Sequence, residues 1–200
     1  MKLILPENQS EITLEQYQRY IKLLERTDLD IYNFNRRKLE IFTPLTFKDT
    51  ENITQVDFEF CLNQIDKALN EEVDFKNRFF LGNVEFGFIP NLDEMTTAEY
   101  VDLNKYTNTP DTLHYLMAIL FRPIINKDNF NNYEIASYEG TKEYFELMKK
   151  TPLSIVNGSL FFFINLSTEL QSYILKYTKE VQKKAGLQAT TLASGVGTLQ

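Results

Sequence analysis

The stretch FGFIPNLDEMTTAEYVDLNKYTNTPDTLHYLMAILFRPI, residues 86–124, decides the fold. Phe86 to Ile89 finish an aromatic and β-branched run that Pro90 closes, because proline has no N–H to continue a ladder. Thr96 then stands where a helix starts: its hydroxyl can accept an N–H from the first turn, and Glu99 can reach back to the N–H of Thr96. Met95 and Tyr100 occupy the two positions where an apolar pair staples the chain onto that turn. A second start follows at Thr109-Pro110-Asp111, with proline where an N–H is not needed and an acid at the positive end of the helix. Leu113, Leu116, Met117, Leu120 and Phe121 recur at helical spacing. Pro123 ends the helix by pushing Arg122 away from helical angles.

Working towards the N-terminus, residues 75–81 and 84–89 flank Gly82-Asn83 and predict a hairpin. Val56 to Asn70 predicts a helix with Phe58, Cys61, Leu62, Ile65 and Leu69 on one stripe, and residues 31–42 predict another. Thr13 and Gln16 repeat the Thr96/Glu99 start, with Ile12 and Tyr17 as the staple, for a helix reaching about Arg26. Lys2–Leu5 reads as a short strand before Pro6. Towards the C-terminus, residues 133–138 add a further strand and residues 141–150 a short helix. Thr151-Pro152 starts a helix running to about Lys184, with Asn157-Gly158 as the place for a kink. The fold class expected is α+β: a mostly helical single domain over residues 1–184 with a small antiparallel sheet. Residues 185–200, AGLQATTLASGVGTLQ from Ala185, carry no charge and little bulk, and are expected to form a flexible arm that orders on a neighbouring subunit or a disordered tail.

Few residues are suited to chemistry. Cys61 is the one cysteine and falls on a buried stripe; it fits a reducing compartment and lacks the electropositive setting of a reactive thiol. His114, the only histidine, is expected at the edge of an apolar helix face, and no nucleophile turn accompanies it. Cysteine and histidine are too few for a structural zinc site. Asp28/Asp30, Asp57/Glu59 and the Asp93/Glu94/Glu99/Asp102 group lack the glycine-centred spacing of a calcium loop. Gly82 and Gly87 have no following Lys-Ser/Thr for a phosphate loop, and Arg36-Arg37-Lys38 and Lys183-Lys184 are too short for a nucleic-acid footprint. No cofactor, no metal and no catalytic residue is implied, so a non-enzyme is expected. The most apolar run, residues 159–166, is far below the ~20 residues of a membrane span. Asn8, Asn52, Asn157 and Asn165 begin Asn-x-Ser/Thr sequons without a secretory context.

The charge is −7 overall but uneven: residues 1–139 hold 14 basic against 24 acidic side chains, and residues 140–200 hold 7 against 4. With 16 Phe and 11 Tyr and no Trp, the aromatic supply suits protein interfaces as well as a core. The candidate interface residues are the basic helix end, Lys176, Lys179, Lys183 and Lys184, together with Leu187, Leu192, Val196 and Leu199 on the arm.

The blocks LPENQSEITLEQYQRY, GFIPNLDEMTTAEYVDLNKY and LHYLMAILFRPI resemble a family of virion-associated proteins of tailed bacteriophages, nearest to those of crAss-like phages. The resemblance covers residues 1–184 and carries over no functional residues. It implies a structural part of the particle, such as a ring, neck or tail component in many symmetric copies, or a cargo protein, assembled in the host bacterial cytoplasm. Its partners would be portal, neck or tail subunits and further copies in a homo-oligomeric ring, with no specific nucleic acid and no membrane. Two alternatives stay open at this point: a tail-assembly chaperone absent from the finished particle, and a small carboxylate/divalent-cation enzyme.

Overall fold

Helix starts set the architecture, and the computed structural model, which describes residues 3–107, 109–140, 144–162 and 165 (Asp93 by its backbone only), places each of them. Helix α1 spans Leu14–Leu24, α2 Ile31–Phe42, α3 Gln55–Leu69, α4 Thr97–Tyr106, α5 Leu113–Leu120 and α6 Phe145–Met148; residues 153–162 form α7. Both expected capping boxes are present, Thr13 with Gln16 and Thr96 with Glu99. Asp30 and Thr54 cap α2 and α3 by accepting the N–H of Asn33 and of Asp57. The first turn of α1 has further partners: Leu14 and Glu15 N–H donate to the carbonyls of Thr151 (2.9 Å) and Lys149 (2.8 Å), while Leu153 N–H returns to Ile12 O at 2.8 Å. Two helix starts thus satisfy part of their free backbone on each other.

The fold is α+β, mostly helical, with one small antiparallel sheet. Its strands are β1 (Arg78–Leu81), β2 (Val84–Phe88), β3 (Phe121–Lys127) and β4 (Tyr133–Ile135), in the order β1-β2-β3-β4. The hairpin turn at Gly82-Asn83 has φ +58° at Gly82 only, so glycine stands at the first central position, where a side chain would be strained. β1 begins at Arg78 rather than Phe75 because β2 runs out of pairing groups. Phe88 N–H goes to Asn77 O, and the next donor, Ile89 N–H, turns to Leu120 O at 2.9 Å.

Two expectations are corrected. The segment from Leu3 to Leu5 is in no strand; the remaining strand of the sheet is β3, which follows α5 without a loop. Pro123 hides β3 from a sequence reading. It is accommodated because its carbonyl still accepts Ala136 N–H at 2.9 Å, beyond the last residue of β4, where no N–H is asked of it. The helix expected over 141–150 is confined to Phe145–Met148 among the described residues.

Phe79, Phe86, Phe88 and Phe121 fill the core side of the sheet, with ring centroids 5.0–5.8 Å apart. Against them pack Leu116, Met117, Leu120, Met148, Leu153 and Val156, all buried. Gln9 is 1% exposed and fully engaged. Its side-chain N–H groups donate to the carbonyls of Leu69 (3.2 Å) and Glu71 (2.7 Å), its side-chain oxygen accepts from Asn157 (2.8 Å), and its backbone N–H donates to Glu71 Oε2 at 2.9 Å. One buried amide therefore pins the N-terminal segment to the end of α3 and to α7. α7 is helical through Asn157-Gly158, and Gly158 is needed for proximity: a Cβ there would lie 2.6 Å from Asp74 O. The chain divides into two units, Met1–Ser159 and Leu160–Gln200, and the sheet and α1–α6 belong to the first. The expected boundary at 184/185 lies outside the described residues.

Candidate interaction surface

Among the described residues, those that sequence reading weighed for chemistry largely have a structural occupation. His114 is buried, 4.3 Å from the ring of Tyr115 and 5.9 Å from that of Phe145. Gln18 Nε2 donates to the carbonyls of Pro110 (2.8 Å) and Asp111 (3.0 Å), which fixes the amide nitrogen towards this corner. The same nitrogen lies 3.1 Å from His114 Nδ1, a distance at which the neutral ring with its hydrogen on Nε2 accepts from the amide. Burial, with Lys149 adding to it, lowers the imidazole pKa. Cys61 is buried and its thiol pKa is raised, first by burial and then by Asp57.

The carboxylates are local fasteners. Asp28 holds Arg26 at 2.6 Å, Asp30 and Asp57 serve helix starts, and Glu94 accepts from Asn91. Asp102 accepts the Tyr138 hydroxyl at 2.6 Å, and burial together with that bond raises the phenol pKa. Glu99 does two things at once. Its Oε2 accepts the backbone N–H and the hydroxyl of Thr96, while its Oε1 lies 2.7 Å from Arg122 Nη2. This buried ion pair ties α4 to β3. Among the described residues, no group of three or more His, Cys, Asp or Glu is placed to hold a metal ion.

The basic run at 36–38 is also consumed internally. Arg36 Nε donates to Thr50 Oγ1 (2.8 Å), and its Nη2 donates to Phe47 O (2.8 Å) and Glu51 Oε1 (2.7 Å). The guanidinium stacks 3.8 Å above the Phe47 ring. Lys38 is buried and pairs with Asp66.

The first unit also exposes large apolar side chains. Val56 and Phe60 lie one helical turn apart on α3 and are 77% and 60% exposed. Phe60 lines a groove of about 380 Å³ together with Leu5, Leu45 and Ile53 and the polar Asn52, Thr54 and Asp57. The local sequence explains it: Thr54 starts α3 with Phe58, Cys61 and Ile65 turned inward, which leaves residues 56 and 60 on the outer side. The Arg36 bonds hold the 47–51 loop beside this wall. The signal was present in the sequence, because two large apolar residues at i and i+4 off the buried stripe have no core role. The interface residues predicted from sequence, Lys176, Lys179, Lys183, Lys184, Leu187, Leu192, Val196 and Leu199, lie outside the described residues.

No helix among the described residues is long and apolar enough to cross a membrane. No protein family, no curated protein and no solved structure matches the chain.

Proposed function

We propose that the protein is a non-enzymatic structural component of a tailed-phage particle, built into a ring, neck or tail assembly through protein–protein contacts. The observation that carries the contact role is the groove that the exposed Phe60 lines, with Val56 exposed one turn before it. Large apolar side chains grouped around a concavity mark a place where another protein is seated. The placement in a phage particle rests on the resemblance of residues 1–184 to virion-associated proteins. Portal, neck or tail subunits and further copies of the chain are the partners proposed, and the virion is the proposed location.

Mass spectrometry of purified particles tests the reading, with detection at a fixed stoichiometry as the expected result. Presence in infected cells but absence from particles would replace it with the assembly-chaperone alternative. Phe60→Asp tests the surface: the side chain is exposed, so the protein should fold normally and yet fail to enter particles. Normal incorporation would remove the groove from the proposal.

A further inference from the structure

Between β3 and β4 the chain reverses over Asn129, Phe130 and Asn131. Asp128 N–H donates to Asn132 O at 3.0 Å, and Asn131 N–H donates to Asp128 O at 3.4 Å. The Asp128 carboxylate holds the turn: Oδ1 accepts the N–H of Phe130 and of Asn132, both at 2.8 Å, and Oδ2 accepts Asn132 Nδ2 at 2.6 Å. Asn131 takes φ +72°, the left-handed backbone that a three-residue hairpin loop uses at its last position and that asparagine tolerates. All of these bonds are made by the main chain or by Asp128 and Asn132, so the turn asks nothing of the Phe130 side chain. That ring is 85% exposed, more than any other large apolar side chain among the described residues.

An aromatic ring held out on a bonded turn is the form of a binding anchor, because little freedom is lost when it is seated. The first unit also carries a seat of matching polarity, the groove of about 380 Å³ that Phe60 lines. Its inner part is apolar, with buried Leu45 and Cys61 beside Leu5 and Ile53, and its outer part is polar, with exposed Asn52, Thr54 and Asp57. The tip has the same order, an apolar ring flanked by exposed Asn129 and Asn131. Charge agrees as well. Asp57 is the one charged residue of the groove lining, and the amide nitrogens of Asn129 and Asn131 have no partner among the described residues, so they can donate to its carboxylate. Asp128, the acid of the tip, already uses both oxygens inside the turn. Phe60 and Phe130 are both largely exposed, so the ring does not sit in the groove of its own chain.

We propose that Phe130 of one copy of the chain inserts into the Phe60 groove of a second copy, head to tail. Knob and seat are different surfaces present on every copy, so the contact is heterologous. The second copy's tip stays free for a third, and the series grows until it closes into a ring or continues as a filament. A seated Phe buries about 150–250 Å², well below the ~1,200 Å² at which stable interfaces begin. One such contact is therefore weak, and ring closure or further neighbours must add to it. The inference names the occupant of the groove and rests on the contact role proposed for that groove above.

Sedimentation velocity of the full chain, up to millimolar concentration, tests it together with photo-crosslinking. The wild type should form a concentration-dependent series of oligomers. Phe130→Asp, which keeps the groove, and Phe60→Asp, which keeps the tip, should each associate at least about tenfold more weakly. Mixed in equal amounts, the two variants should form a heterodimer and stop there, because one intact tip and one intact groove remain between them. A chain with p-benzoylphenylalanine at position 130 should crosslink to residues 52–61 of a second copy, and should fail to do so when that copy carries Phe60→Asp. Both side chains are exposed, and far-UV circular dichroism confirms folding of each variant. A wild type that stays monomeric at millimolar concentration overturns the proposal. So does undiminished association of Phe130→Asp, a mixture of the variants that stays monomeric, or a crosslink that lands elsewhere or, in purified particles, on a different protein. If the purified chain is monomeric while Phe60→Asp is excluded from particles, the groove keeps its contact role and this occupant alone is refuted.

Discussion

Arg122→Met isolates the contact that fastens α4 to the sheet. The wild-type pair is nearly sealed, with side-chain exposures of 11% for Arg122 and 4% for Glu99 and a separation of 2.7 Å. Methionine keeps the apolar stem but removes the charge, which leaves Glu99 Oε1 without its donor in a site that water hardly reaches. Breaking a buried pair from one side costs about 3–5 kcal/mol, a large part of the ~5–15 kcal/mol that stabilises an ordinary domain. Glu99→Gln is expected to cost less, because an amide oxygen can still accept from Thr96. The wild type already tolerates one defect here, since Arg122 Nε is buried with no partner. That defect makes the pair poorer than its short distance suggests, so the double variant Glu99→Gln/Arg122→Met should recover most of the loss. Urea unfolding at neutral pH gives all four corners of the cycle. A coupling of about 2 kcal/mol or more is expected, and single effects that add within ~0.5 kcal/mol would refute the account.

Gly87 and Gly82 should separate two uses of glycine. A Cβ at Gly87 would lie 2.5 Å from Tyr133 Cε2 and 2.9 Å from Ile124 Cγ1, and the ring is held by its hydroxyl donating to Phe88 O at 2.8 Å. Gly87→Ala should therefore cost about 2–4 kcal/mol through overpacking and the lost bond, against ~1 kcal/mol for Gly82→Ala, where only the left-handed backbone objects; equal costs by urea unfolding would reject the distinction. For His114, the folded pKa lies below the ordinary value of about 6.5, so the unfolded chain binds the extra proton first. Its contribution is present above pH ~6.5 and is lost as pH falls through that value towards the folded pKa. His114→Asn keeps an acceptor for Gln18 without a titrating ring and should flatten this part of the stability profile; equal slopes between pH 7.5 and 5.5 for variant and wild type would count against it.

Local physics made much of the fold legible. The Thr96 and Thr13 boxes, the Asp30-led helix over residues 31–42 and the Gly82-Asn83 hairpin each depend on residues within a few positions of one another. What escaped depends on residues far apart. β3 was hidden because Pro123 argues against a strand until Ala136 and β2 are in place around it. Arg122, read only as the residue before a proline, became the partner of Glu99 in the ion pair that joins α4 to β3. The short N-terminal run Leu3–Leu5 has strand composition but joins no strand, and Leu3 and Leu5 line the groove instead. Val56 and Phe60 were readable as residues left over from the stripe of α3, but a concavity beside them needs Leu45 and Leu5, and no spacing rule joins residues 5, 45 and 60.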